Sequence, residues 1–401
     1  MHATVRGIPA GRIVAPETLE AARAMLAEAS VANESVAFVG GGTELGLGYA
    51  PRAVDVLVET TRLDRIVDYQ PADMVVEVEC GMTLAALQAA LWPQGQRLAL
   101  DPPMSDRATI GGLVATNAFG PRRARYGTLR DLIVGVSFIR ADGTRVRGGG
   151  KVVKNVAGFD LPKLAVGSLG TLGMIATATF RLHPVAQTTT ALRVTGCTVE
   201  AVSSIVRDLV ARQLEPVAVL AARTPEGAYE LDVIFEGLAA GVAEQCERFV
   251  EIAGARGARA AALKDPEAPF AREASLRAGG DLRMRFAVPP ADFAAFERDG
   301  LAPLGRALAD FEAIAYPSIG IVFTRMSTVG NAAASAALVA ARRVAESRGG
   351  HAVVLDTSDP IIATGFDIYG TLPPSFALMR GLKDRFDPSH RLNPGRFLGK
   401  L

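Results

Sequence analysis

The chain has 401 residues, 49% of them hydrophobic, and a formal net charge of +1. That length suits two packed domains rather than a single core, and the balanced charge argues against a basic nucleic-acid-binding face. Three cysteines (Cys80, Cys197 and Cys246) stand far apart, with neither metal-ligand spacing nor a disulfide framework.

The opening MHATVRGIPAGRIVAPE lacks the apolar core of a secretion signal, and no window approaches about 18 uninterrupted apolar residues. A cytoplasmic chain without a membrane-spanning helix is therefore expected. From Pro16, Leu19, Ala22, Leu26 and Ala29 recur at helical spacing. Val36–Val39 reads as a strand that breaks into three glycines, and Val54–Val58 and Val75–Cys80 read as further strands. Thr83 caps a predicted helix whose Leu84, Leu87 and Leu91 share a face. The stretch Thr109–Gly120 is punctuated by glycine. Leu132–Ile139 and Arg145–Val146 flank Asp142-Gly143 as a hairpin, and Met174–Leu182 is a strand.

After about residue 190 the texture changes. Thr198 precedes a helix with Val199, Val202, Val206, Leu209 and Val210 inward. Strands are expected at Val217–Ala221, Tyr229–Phe235, Leu282–Val288, Ile319–Phe323 and His351–Leu355. Helices are expected near Val242–Val250, Asn331–Ser347 and Ser375–Arg385. Alternation without a repeated fingerprint implies an α+β domain, an antiparallel sheet with helices on one face.

The glycines raise the chemical question. VGGGTELGLG is no Walker loop, because Gly42-Thr43-Glu44 offers no lysine to a phosphate. It is a poor Rossmann loop, because Leu45 stands where the third glycine should be, and a helix precedes the strand. A nicotinamide-dependent dehydrogenase is set aside on that ground. Three more segments of small residues follow: Ser105–Asn117, Lys154–Leu161 and Gly167–Ile175. Small residues let backbone N–H groups approach a diphosphate closely. Four such segments imply one long ligand threaded through the domain.

VGGGTELGLG, TIGGLVATNAFGPRRARYGTLRD, GGGKVVKNVAGFDLPKLAVGSLGTLGMIATATFRLHP and the closing FDPSHRLNPGRF resemble the vanillyl-alcohol-oxidase-type (PCMH-type) FAD-binding flavoproteins. Among these the chain looks most like the FAD-binding subunit of bacterial glycolate oxidase. The resemblance is strong over about residues 30–185 and clear over 375–401. It implies an α+β fold: a PCMH-type FAD domain of two α+β subdomains over 1–187, an α+β cap domain with an antiparallel sheet over 188–365, and a C-terminal segment, 366–401, returning to the FAD domain. It implies that Gly40, Gly41, Gly42 and Thr43 cradle the pyrophosphate of FAD, with Glu44 and Leu45 continuing the loop. Thr109, Gly111, Gly112, Thr116 and Asn117 would line the diphosphate and flavin channel. Gly158 and Asp160 would sit in the next loop, Gly173 and Ile175 would meet the adenosine or ribityl side, and Asn393 and Arg396 would close near the isoalloxazine.

The sequence departs from its relatives twice. No histidine stands in Gly42-Thr43-Glu44-Leu45, so FAD is expected to bind non-covalently. The His-x-Gly-Asp-Gly-Asn segment of the catalytic flavin subunits has only Gly349-Gly350-His351 as a counterpart. Arg122, Arg123, Lys154 and Arg396 are candidates to stabilise negative charge on a reduced flavin. His351 is the candidate base and Arg396 the second candidate catalytic residue, while Tyr126 and Tyr369 suit aromatic packing. No metal site is expected. The resemblance implies partners as well: a second flavin subunit, an iron–sulfur subunit and a small hydroxy-acid substrate, with membrane association only through those partners. Two readings stay open: a flavin subunit that takes part in oxidising glycolate to glyoxylate, or a non-catalytic assembly subunit that keeps the flavin fold.

Overall fold

The computed structural model describes residues 4–150, 159–308, 310–326, 332–358 and 366–401. The chain divides into two compact units, residues 1–119, 127–185 and 371–401 forming the first and 120–126 with 186–370 the second.

Among the described residues the first unit carries two main sheets and two short two-stranded ones, Thr4–Val5 with Ile8–Pro9 and Gln96–Arg97 with His183–Pro184. A parallel three-stranded sheet runs in the order Arg12–Val14, Val56–Glu59, Val36–Val39. Helix Leu19–Val31 supplies the crossover into Val36–Val39, and Thr18 caps it by accepting from the Ala21 N–H. Its Ala22, Met25, Leu26 and Ala29 are buried, which is the periodicity the sequence shows. A second, antiparallel sheet runs Arg145–Gly149, Ile133–Ile139, Met174–Arg181, Val75–Glu79, Ile66–Gln70. Its apolar face buries Val76, Val78, Val136, Phe138, Ala178 and Phe180. The opposite face is polar: Thr177 Oγ1 donates to Glu77 (2.9 Å) and Ser137 Oγ lies 2.8 Å from Thr177 Oγ1. Arg147 closes that ladder over Glu77. Asp142-Gly143 forms the expected turn, with Gly143 at φ 78°.

The second unit is built on an eight-stranded antiparallel sheet in the order Ala260–Ala262, Thr188–Cys197, Tyr229–Gly237, Ala218–Arg223, Glu312–Tyr316, Ile321–Met326, Leu282–Ala287, His351–Thr357. Helices Val199–Ala211 and Ala239–Ala255 pack on one face, where Phe235 meets Phe249 (ring centroids 6.4 Å apart). The expectation of helices on one face only is corrected here. Strand alternation turns Glu230 and Asp232 to the other side, and helix Ala268–Ala278 lies there. Its Arg272 reaches Glu230, Arg277 stacks 4.1 Å over Phe323, and Glu273 accepts from Tyr316. Val210 is also corrected: it is 70% exposed, while Val199, Val202, Ile205, Val206 and Leu209 are buried. Thr198 does cap this helix, accepting from the Ala201 N–H at 3.2 Å. Thr198→Ala should therefore cost about 1 kcal/mol of stability, read as a lower urea midpoint at unchanged slope; an unchanged midpoint would deny the cap its role.

Candidate functional site

The site begins where strand Val36–Val39 runs into Gly40-Gly41-Gly42. A Cβ built on Gly40 would sit 2.0 Å from Thr109 Oγ1, and one on Gly41 would sit 1.7 Å from the Arg107 carbonyl oxygen. The two loops thus touch through their missing side chains. Gly42 takes φ 71°, which glycine adopts without strain. Among the described residues, no backbone carbonyl outside regular elements accepts from the N–H groups of Gly40, Gly41, Gly42 or Thr43.

The second wall is a helix that the sequence disguised. Ile110–Thr116 is helical, capped by Thr109, whose Oγ1 accepts from the Gly112 N–H at 3.4 Å. Gly111 packs on Cys80: its N–H donates to the Cys80 carbonyl at 2.7 Å, and a Cβ would stand 2.8 Å from Cys80 Cβ. Burial pushes the Cys80 thiol up to about 12, against a hydrogen bond with Thr60 that lowers it, so the thiol stays protonated at neutral pH.

The third wall is the loop 167–173, laid against that helix by Gly167 N–H to Val114 O and Leu169 N–H to Ala115 O, both 2.9 Å. The fourth is the tail. The Val36 N–H donates to Arg391 O (2.8 Å) and the Asn393 N–H to Val36 O (2.7 Å), stitching the tail beside the strand that leads into the glycines. Arg391 anchors it by donating to Ala29 O (2.9 Å) and Ser30 Oγ (2.8 Å). Asn393 Nδ2 donates to Leu169 O (2.8 Å), and the Arg396 guanidinium donates to Leu45 O (3.0 Å) and Leu47 O (2.5 Å).

Together these segments enclose a two-lobed cleft. Gly40, Gly41, Gly42, Thr43, Glu44, Leu45, Thr109, Gly111, Gly112, Thr116, Gly173, Ile175, Asn393 and Arg396 all line it. Asn117 does not; it ends the helix in the left-handed conformation, φ 53°. Asp160 lies elsewhere in the unit, capping helix Leu161–Ala165 and pairing with Lys163 at 2.8 Å, whose hydrogen bond holds its carboxyl below the usual range. Gly158 and Lys154 fall outside the described residues. Phe38, Thr60, Cys80, Leu169, Gly170 and Met174 also line the cleft. Leu169, Gly170 and Met174 fall within the small-residue segment Gly167–Ile175, whereas Phe38, Thr60 and Cys80 lie in or just beyond strands and look like ordinary core.

The remaining candidates belong to the second unit. Arg122 is an internal brace there, 2.7 Å from Glu236 and 4.1 Å over the Phe270 ring. His351 opens the strand His351–Thr357. Although part of it meets solvent, crowding by protein, then the charges of Arg285 and Arg123, holds its imidazole pKa below the ordinary value, so it is neutral at pH 7. Arg123 and Tyr126 lie in the short helix Arg123–Tyr126.

The cleft suits an elongated ligand with a diphosphate. Bare glycine backbone, with N–H groups that no loop carbonyl among the described residues takes up, would receive such an anion, and two guanidinium groups lie close by, Arg396 and Arg107, the latter donating to Gly41 O at 3.2 Å. Asn393 is 4% exposed, and its Oδ1 has no hydrogen-bond partner among the described residues. A buried acceptor left open in this way fits a ligand N–H or O–H. Among the described residues no group of His, Cys, Asp and Glu could hold a metal ion, and no helix is long and apolar enough to cross a membrane.

Comparison with known proteins agrees with this chemistry. The profile of the FAD binding domain matches residues 10–149. The chain is similar to D-lactate dehydrogenase of Archaeoglobus fulgidus, 30% identical over 97% of this chain and 91% of that protein. It is similar to glycolate oxidase subunit GlcE of Escherichia coli, 40% identical over 32% of this chain and 37% of that subunit. It also resembles glycolate oxidase subunit GlcD of Bacillus subtilis, 29% identical over 51% of this chain and 43% of that subunit. In fold it is like alkyldihydroxyacetonephosphate synthase, with a TM-score of 0.72 at 17% identity over 96% of this chain and 77% of that one. The chain therefore belongs to the PCMH-type family of FAD-dependent oxidoreductases in which D-lactate dehydrogenase and glycolate oxidase subunits are found.

Proposed function

We propose that the chain is the FAD-binding subunit of a glycolate-oxidising complex, acting on the CH–OH group of a small 2-hydroxy acid and passing electrons to partner subunits. The observation that carries this reading is the cleft, where Gly40–Leu45, Thr109–Thr116, Gly173–Ile175 and the tail residues Asn393 and Arg396 converge. In this reading the N–H groups of Gly40–Thr43 hold the diphosphate non-covalently, Asn393 and Arg396 close over the flavin end, and residues 188–365 form the cap. Bound FAD supplies a two-electron acceptor. The chain's own residues bind, orient and desolvate; the neutral His351 is the group we assign to accept the hydroxyl proton. With three isolated cysteines the chain cannot ligate an iron–sulfur cluster by itself, so onward transfer is assigned to a second flavin subunit and an iron–sulfur subunit.

A second reading has its own observation. The His351 segment lacks Gly-Asp-Gly-Asn, which suits a flavin-bearing subunit that stabilises a catalytic partner. Anaerobic titration of the FAD-loaded chain with glycolate and with D-lactate separates the two, followed by dye reduction with and without co-purified partners. Bleaching of the flavin, or turnover once partners are present, is expected. A flavin that neither substrate reduces in either preparation would overturn the catalytic reading in favour of the assembly role.

A further inference from the structure

The first unit contains a second cavity, of about 410 Å³, which the cleft chemistry does not use. It lies between the loop 167–173, helix Leu161–Ala165 and helix Phe376–Phe386. Its wall is mostly apolar: Leu164, Val166, Leu172, Met379, Leu382 and Phe397. Three buried polar side chains stand in that wall, and the Thr171 hydroxyl is committed to Ser168 O at 2.7 Å; the other two are of different kinds. Lys383 is 1% exposed, and its ammonium is saturated by Thr171 O (2.8 Å), Asp387 Oδ2 (2.6 Å) and Leu392 O (2.9 Å). Three donors meet three acceptors, so Lys383 has nothing left to offer a ligand. Ser168 is 5% exposed, and its Oγ has no partner among the described residues. A buried hydroxyl left open costs free energy unless something satisfies it.

The charge at the rim is also unequal. Asp160 and Lys163 neutralise one another at 2.8 Å. Arg130 is exposed, and its guanidinium enters no ion pair among the described residues. Arg130 also acts on Asp160 from farther away, so the rim side chains set two cations, Lys163 and Arg130, against one carboxylate; an apolar interior, one open hydroxyl and this surplus of positive charge at the mouth select a particular chemistry. The volume accommodates about a dozen non-hydrogen atoms at the roughly 30 Å³ that each occupies in a condensed phase.

We propose that this cavity binds a small amphiphilic anion of the medium-chain carboxylate class, with its apolar body inside and its carboxylate at Arg130. The site is distinct from the cofactor cleft but shares a wall with it: Ser168, Thr171 and Leu172 line the cavity, while Leu169, Gly170 and Gly173 of the same loop line the cleft. The proposal rests on these residues and stands whether or not the substrate assignment above is right.

The test is isothermal titration calorimetry of the FAD-loaded full chain with decanoate and, separately, with 1-decanol. Saturable one-to-one binding of decanoate is expected. Arg130→Gln, at an exposed position, should weaken decanoate about threefold, the size of an exposed ion pair, and leave 1-decanol unchanged. Leu164→Trp, which fills the cavity, should weaken both at least tenfold while flavin absorbance and circular dichroism stay as in the parent. Absence of saturable decanoate binding would overturn the proposal, as would decanoate binding indifferent to both variants. Sensitivity to Leu164→Trp with indifference to Arg130→Gln would overturn the anionic assignment.

Discussion

Gly41→Ala should strip the protein of FAD. A methyl group at that position would stand 1.7 Å from the carbonyl oxygen of Arg107, far inside van der Waals contact, and the obstacle is main chain rather than a side chain that can swing away. Either the glycine loop or the segment leading into helix Ile110–Thr116 must move, and both are walls of the cleft. Overpacking of this kind costs about 1–3 kcal/mol. If that cost falls on the bound geometry, cofactor affinity drops by roughly tenfold per 1.4 kcal/mol. The matched control is Gly381→Ala, at an exposed position of helix Phe376–Phe386 where a methyl would meet nothing within 4 Å and where alanine gains about 0.8–1 kcal/mol over glycine. Flavin absorbance per chain after desalting, measured with the urea midpoint, distinguishes the two. Full FAD retention by Gly41→Ala would show that this loop does not carry the cofactor.

The second large effect is expected at Lys383. Burial lowers the pKa of its ammonium, and Asp387 opposes that shift. The carboxylate is itself fully buried and also accepts from the Leu392 N–H at 2.8 Å. Lys383→Met would leave this carboxylate charged, dry and without a counter-ion, a situation that costs about 3–5 kcal/mol. It would also release the carbonyls of Thr171 and Leu392, which the ammonium bridges, leaving the tail tied to the loop 167–173 through Asn393 Nδ2 and Leu169 O. Adding Asp387→Asn removes the stranded charge while keeping an acceptor for Leu392, and should restore most of the loss. Thermal unfolding of the single and double variants decides the matter: a double variant as unstable as the single one would mean that shape rather than charge holds the tail.

Parts of this fold were legible for local reasons. A threonine cap followed by apolar residues on one helical face marks the helices after Thr18, Thr83 and Thr198, because capping and periodicity both act within a few residues. Helix Ile110–Thr116 carries the same cap and an Ile110, Leu113, Val114 stripe, but its two glycines made it read as a loop. Helix Ala268–Ala278 was missed because Glu273 and Arg277 look like surface residues. They are 1% and 5% exposed, satisfied by each other and by Tyr316. Within the cleft, glycines signal close approach wherever they occur, so Gly40–Gly42 and Gly111–Gly112 could be named. Cys80 and Thr60 could not, since nothing in their own neighbourhood says that a ligand passes. The meeting of Asn393 with Val36 spans most of the chain; family likeness implied the tail's return to this domain, and no local pattern pointed to the pairing itself.

That meeting sets the timetable on which the cleft can exist. Its first three walls are translated before residue 186, but the fourth, which pairs with Val36 through Arg391 and Asn393, emerges only after the whole stretch Ala186–Gly370 of the second unit. At about 5–20 residues per second, that is a delay of roughly ten to forty seconds. Throughout it, the nascent polypeptide on the ribosome displays an open strand edge at Val36–Val39, a natural target for chaperones and a point of vulnerability to misassembly.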